Sequence, residues 1–360
     1  MIEPEALRAG DATSVPLGAI TSQKAHAPPS PLAPVTPLPL ARYRLVFRLH
    51  DDLRLPDFAG SLLRGQFGRS LRQIACMTGA PACAGCQLYR TCPYPAIFET
   101  PPPSSHSLQR FSQVPNPYVI EPPPLGTRRI DAGETLSFHI VLIGRALANL
   151  PLIAYAMQRA FERGVGRRRA RGSLEDIVLE RPDAPQSIWD LESSRILPHE
   201  QTLTVPQFAD IGAITLKIAT PLRLQNQGHP VPPDRLRPRT LVTALLRRVS
   251  LLFELHASLP PVGAHASCLA AAAERLTDER RLQWKDWTRF SSRQEREMTL
   301  GGVVGEWRLE GDIGDLLPWL WLGQWLHVGK NATMGMGMYT LIFELDQGGA
   351  ATAAAAKRHQ

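Results

Sequence analysis

Apolar positions along this chain switch between two periods, and the switching outlines a fold. "YRLVFRL" and "ETLSFHIVLIG" carry apolar residues at every second position, the pattern of half-buried strands. "DFAGSLLRGQFGRSLRQIACM" spaces them by three and four, which predicts a helix from Asp57 to Ile74 with Asp57 at its N-cap. "PAIFET" reads as a short strand, and the proline-rich stretch after it offers regular structure only over Pro117 to Ile120. "ALANLPLIAYAMQRAFERG" reads as a helix, "VGRRRARG" as a loop and "SLEDIVLE" as a strand. The order is β-α-β-β-α-β, the split βαβ unit of a ferredoxin-like domain.

The second half repeats it. "IGAITLKIAT" is a strand, "DRLRPRTLVTALLRRVSLLFELHA" a long helix, and "SCLAAAAERL" a further helix. "WKDWTRFSS" and "GGVVGEWRLEG" form a strand pair, "DIGDLLPWLWLGQWL" is a helix and "MYTLIFEL" closes the chain's patterned part. The expected fold class is therefore α+β, with two tandem ferredoxin-like (RRM-like) domains. Their expected bounds are 41–205 and 206–346, between a disordered Pro-rich lead-in, 1–40, and a disordered tail, 347–360.

Both halves close with a helix, a glycine-rich basic loop and a strand: "FERGVGRRRARGSLEDIVLE" and "WLHVGKNATMGMGMYTLIFE". Glycine-rich loops with a lysine suit phosphate, because bare backbone amides approach an anion closely. A Walker A or dinucleotide-binding loop needs a strand before it and a helix after it. Here the order is reversed, which excludes both. The remaining choices are an RNA phosphate held by Gly329, Gly335, Gly337 and Lys330, or a turn whose glycines only satisfy positive φ.

Hydrophobic residues at 44% and charged residues at 20% describe a globular protein, and the net charge of +7 rests mostly on arginine. That bias suits bidentate phosphate contacts. Arg167, Arg168, Arg169 and Arg171 form a basic loop in the first half, either following an RNA backbone or solvated as a charge run. No apolar run is long enough to span a bilayer, and the N-terminus lacks the pattern of a secretory signal. The expectation is a cytoplasmic protein with no membrane partner.

Four of the five cysteines, Cys76, Cys83, Cys86 and Cys92, fall within seventeen residues. Four soft ligands with one C-x2-C pair suit a closed, structural tetrahedral zinc site inserted in the first domain. An iron–sulfur cluster ranks second and unliganded core cysteines third.

The run "GGVVGEWRLEGDIGDLLPWLWLGQWLHVGKNATMGMGMYTL", with "WKDWTRFSSRQ", "GSLLRGQFGRSLR" and "CAGCQLYRTCPYPAIFETP", resembles the CRISPR-associated RAMP endoribonucleases that process precursor crRNA. The resemblance implies a glycine-rich loop that touches CRISPR repeat RNA, and other subunits of a CRISPR effector complex as further partners. It also implies metal-independent cleavage, with a 2′-hydroxyl attacking the adjacent phosphate to leave a 2′,3′-cyclic phosphate. That reaction needs a base, an acid and positive charge on the phosphorane. In much of the family a histidine lies in or beside the first helix, and Asp57 to Ile74 has none. The candidates here are His50 after the first strand, His327 before the glycine loop, and Lys330 for charge, with Arg64 on the first helix as a further RNA contact. A packed histidine supporting the loop is the alternative for His327, and a surface or capping residue the alternative for His50. A RAMP subunit that binds guide RNA without cutting it is the second functional reading.

Overall fold

A computed structural model describes residues 37–103, 114–181, 183–208, 211–291 and 296–344. The first sheet uses β1 (Leu40–Leu49), β2 (Tyr118–Glu121), β3 (Thr135–Ile143), β4 (Gly172–Leu179) and a short edge strand β5 (Gln186–Ser187). Helices α1 (Gly60–Ala75), α2 (Pro93–Phe98) and α3 (Leu150–Arg163) accompany it. The sheet is antiparallel in the order β2-β3-β1-β4-β5.

Alternation along β1 decides which face is covered. Tyr43, Leu45, Phe47 and Leu49 are buried under the helices, and Phe47 stacks on Phe161 of α3 at 3.9 Å between ring centroids. Arg42, Arg44 and Arg48 point to the other face, where each pairs with a glutamate: Glu121, Glu180 and Glu175. Helix α3 buries Ile153, Met157, Ala160 and Phe161, a stripe at helical spacing, and ends at Gly164 with φ +98°.

The second sheet uses β6 (Ala213–Leu222), β7 (Thr277–Ser291), β8 (Arg296–Glu310) and β9 (Tyr339–Glu344). Its helices are α4 (Pro238–Leu252), α5 (His265–Glu274) and α6 (Leu317–Leu326). The antiparallel order β7-β8-β6-β9 repeats that of the first sheet, apart from the edge strand β5. Helix α6 is apolar apart from Gln324 and buried nearly throughout, with Trp319 only 1% exposed.

Three local expectations need correction. "PAIFET" belongs to a helix: Pro93 presets φ for the first turn, and Tyr94, Ile97 and Phe98 then reach the core at spacings of three and four. Asp57 is not the N-cap of α1, because the helix begins at Gly60 with no side-chain cap. The end of the lead-in is ordered: Pro37–Leu38 pairs with Leu203–Thr204. The rest of that lead-in and the tail 347–360 lie outside the described residues.

The halves share apolar contacts. Leu38 and Leu40, with Val119, Val141 and Ile143 of the first sheet, join the core built around α4, α6 and the second sheet. Among the described residues no helix is long and apolar enough to cross a membrane.

Candidate RNA interface and the buried pair beneath it

The glycine-rich stretch lies where the two halves meet, and its glycines serve close packing. Gly329, Gly335 and Gly337 have φ of +89°, +92° and +71°. A β-carbon at Gly335 would overlap Pro122 and the Ile120 carbonyl, and one at Gly337 would overlap the Val328 carbonyl. The Gly335 amide donates to Ala332 at 2.9 Å, and the Gly337 amide to Pro221 at 3.1 Å. The Thr220 hydroxyl donates to the Gly335 carbonyl at 2.6 Å and accepts from the Met338 amide at 2.9 Å. An anion would have to break these bonds, so Gly335 and Gly337 do not form the phosphate cradle expected of them. Gly329 is partly open and Lys330 is exposed, so the Lys330 ammonium is what this loop presents to an anion.

His327 is fully buried. Its Nε2 lies 3.2 Å from Glu121 Oε1 on β2, and its Nδ1 lies 3.2 Å from the Met336 carbonyl. Glu121 is 2% exposed and accepts from Arg42 Nε at 2.7 Å through its other oxygen. The His327 backbone has φ +57° and ψ 167°, close to a region that glycine occupies and other residues rarely do. A histidine kept there, sealed from solvent and tied to the other half, holds the loop in position. It cannot touch RNA in this arrangement, which corrects its assignment as a catalytic group.

Helix α1 starts against the same loop. A β-carbon at Gly60 would overlap the Met334 carbonyl. Phe58, Trp287, Leu300, Met334 and Met336 form a small separate core there, joining the lead into α1, the β7–β8 hairpin and the glycine loop. Asp57 pairs with Lys285 Nζ at 3.6 Å on its edge, both side chains about two-fifths exposed. The Arg64 guanidinium lies over the Phe98 ring at 4.3 Å, half-buried against the first-half core rather than held out to solvent. Burial raises the Tyr118 phenol pKa, and the Arg64 charge opposes that shift.

His50 belongs to another edge. Glu121, His139 and Arg44 share one row of the sheet, and His50 follows Arg44 by six residues, about 20 Å along β1. His50 and His327 therefore do not form one acid–base pair. His50 is exposed, its Nε2 lies 3.1 Å from Ser173 Oγ, and its amide donates to Arg171. Arg171 in turn pairs with Asp51 at 3.0 Å, and those hydrogen bonds hold the Asp51 carboxyl below its usual range. Arg169 takes φ +54° and donates to the Arg163 carbonyl. Arg167 and Arg168 are exposed, with no ion pair among the described residues.

Cys76, Cys83, Cys86 and Cys92 line one small cavity, and all four thiols are free. Thr78 Oγ1 lies 3.4 Å from Cys86 Sγ and 4.0 Å from Cys76 Sγ, so two of the thiols contact a hydroxyl. Among the described residues no group of three potential ligands is arranged to hold a metal. This arrangement does not fit the expected zinc or iron–sulfur site.

Sequence reasoning missed Glu121, Arg42 and Lys285. The available signal was an acid closing the apolar strand "YVIE", where a polar side chain needs a partner.

Comparison with known proteins places these features. A family model described as CRISPR-associated endoribonuclease Cas6 matches residues 216–339, and one described as an N-terminal domain matches residues 38–201. A curated-protein comparison finds no match. Among solved structures, a chain of a partial Cas6-RT-Cas1–Cas2 complex aligns with TM-score 0.52 at 14% identity, over 91% of this chain and 50% of its own. This chain thus spans about half the length of that one. Cas6 of Thermus thermophilus in a product complex aligns with TM-score 0.52 at 16% identity, over 84% of this chain and 99% of its own. At such identities the likeness shows the fold. Residues 216–339 are thus similar to the Cas6 endoribonuclease model, and the chain as a whole shares the fold of these Cas6 structures.

Proposed function

We propose that this chain binds CRISPR repeat RNA and cleaves precursor crRNA. The carrying observation is that the Cas6 match falls on the domain whose closing loop presents Lys330, seated against the start of α1. The strand order β2-β3-β1-β4, repeated as β7-β8-β6-β9, supports reading the halves as tandem ferredoxin-like domains. A 2′-hydroxyl would attack the adjacent phosphate, leaving a 2′,3′-cyclic phosphate and a 5′-hydroxyl, with no catalytic metal. Lys330 would stabilise the charge that develops on the phosphorane. Asp57 and Lys285, paired at the edge of the small core that includes Met334 of the same loop, would supply one proton acceptor and one donor, the two functions the reaction needs. Arg167, Arg168 and His50 would serve RNA binding at the far edge of the first half.

A second reading, a RAMP subunit that binds guide RNA within a CRISPR effector complex without cutting, is favoured by the burial of His327 and its separation from His50. Incubating the protein with its own repeat RNA in EDTA decides between them. A cyclic-phosphate product, diminished in Lys330→Ala and Lys285→Ala, supports cleavage. Intact RNA under tight, salt-sensitive binding supports the second reading, and absence of binding refutes both.

A further inference from the structure

Residues of helices α1 and α3 and of the basic loop line a cleft of about 270 Å³ in the first half. Its walls include Arg69, Arg163 and Arg169, the amides Gln66 and Gln73, and Ser70. Gln66 precedes Arg69 and Ser70 by three and four residues, and Gln73 follows them by four and three, so α1 turns one polar stripe to the cleft.

Three features mark it as built for an anion. No carboxylate is among the lining residues, so three arginines border one space without a counter-charge in its lining. The arginines are also pre-positioned: Arg163 donates to Gln73 Oε1, and Arg169 donates to the Arg163 carbonyl at 3.3 Å. Finally, Ser70 is 2% exposed, and its hydroxyl has no hydrogen-bond partner in the structure. A buried hydroxyl left unpaired is destabilising unless a ligand completes it.

We infer that this cleft holds a phosphate of a single-stranded RNA backbone, as a site separate from the glycine-loop interface. The volume admits a phosphate with part of a nucleotide. The exposed Arg167 and Arg168 extend the positive surface beyond it, which suits a chain of phosphates better than a lone ion. Arg69 follows the glycine-loop contact at Gly60 by nine residues, about 14 Å along α1, so the two sites are spatially distinct. The inference rests on the RNA-binding reading and does not require cleavage.

The test uses the full chain and a fluorescently labelled, unstructured 12-mer RNA, with Arg69→Glu/Arg163→Glu and the charge-neutral Arg69→Ala/Arg163→Gln. Circular dichroism and thermal unfolding confirm that each variant folds. The expected result is about tenfold weaker binding at 0.15 M salt, with the slope of log K against log salt shallower by about 1.4, two single-strand contacts. Unchanged affinity and slope in either folded variant overturn the site. Inorganic phosphate is titrated alone in parallel. If it binds the wild type and is lost in the variants while 12-mer affinity is unchanged, the cleft is a free-phosphate site and the RNA assignment falls. Repeat-RNA cleavage is scored separately, so a protein that cuts nothing yet binds the 12-mer through these arginines refutes the cleavage proposal alone.

Discussion

Replacing His327 by alanine separates a loop-positioning role from a catalytic one. The change removes the contact with Glu121, a hydrogen bond to a carboxylate worth about 1.5–3 kcal/mol, and leaves that acid buried with one partner fewer. Loss of the imidazole from a fully buried site adds a cavity term, so the expected destabilisation is about 2–4 kcal/mol. At roughly 2–4 °C per kcal/mol for a unit of this size, Tm falls by about 4–16 °C. Glycine at 327 loses the same contacts but relieves about 1–3 kcal/mol of strain at φ +57°, so His327→Gly should be the more stable of the two. A double-mutant cycle with Glu121→Gln, followed by thermal unfolding, should give a coupling energy of about 1–3 kcal/mol. A His327→Ala variant that keeps Tm within about 1 °C while cleavage drops more than about 100-fold at unchanged RNA affinity would instead mark a lost general acid or base and refute the positioning role.

Other expectations follow from packing, burial and charge. Gly335→Ala places a β-carbon against Pro122 and the Ile120 carbonyl at φ +92°; a loss of about 2 kcal/mol or more should appear in urea unfolding, with weaker RNA binding as the loop lifts. His256 donates Nε2–H to the Pro115 carbonyl at 2.7 Å, and burial lowers its pKa from 6.5 to about 4. The neutral ring is the folded form, so its contribution is whole above pH 6.5 and falls by up to about 3 kcal/mol as pH drops toward 4. The pH dependence of Tm should flatten over that window in His256→Phe. Lys330→Ala should leave Tm unchanged while the salt slope of RNA binding becomes shallower by about 0.7–0.9, one phosphate contact.

The element order was legible because strand and helix periods alternate without ambiguity over long segments such as "YRLVFRL" and "ALANLPLIAYAMQRAFERG". The short "PAIFET" was not, because six residues hold too little period to separate strand from helix. The position of the glycine loop was visible, but its use was not. Whether Gly335 presents its amide to solvent or to Ala332 depends on β2, which packs against it from the other half of the chain. His327 illustrates the limit most sharply. Its partner Glu121 lies 206 residues away, so neither burial nor pairing leaves any local trace. The Cys-x2-Cys spacing shows the opposite failure: the local signal for a metal was strong, yet among the described residues the thiols lining one cavity are not arranged to hold one.

The shared core around Leu38, Leu40, Val119, Val141 and Ile143 bears on how this chain can be divided. Two repeats that look modular in topology are not modular in practice. A gene cut in the connecting segment would leave the second half lacking the leucines that fill its interior and the first half with an apolar scar on its sheet. Fission should therefore yield two fragments that dissolve poorly alone and recover together on co-expression, so swapping one half for a relative's would require transplanting the facing strands with it.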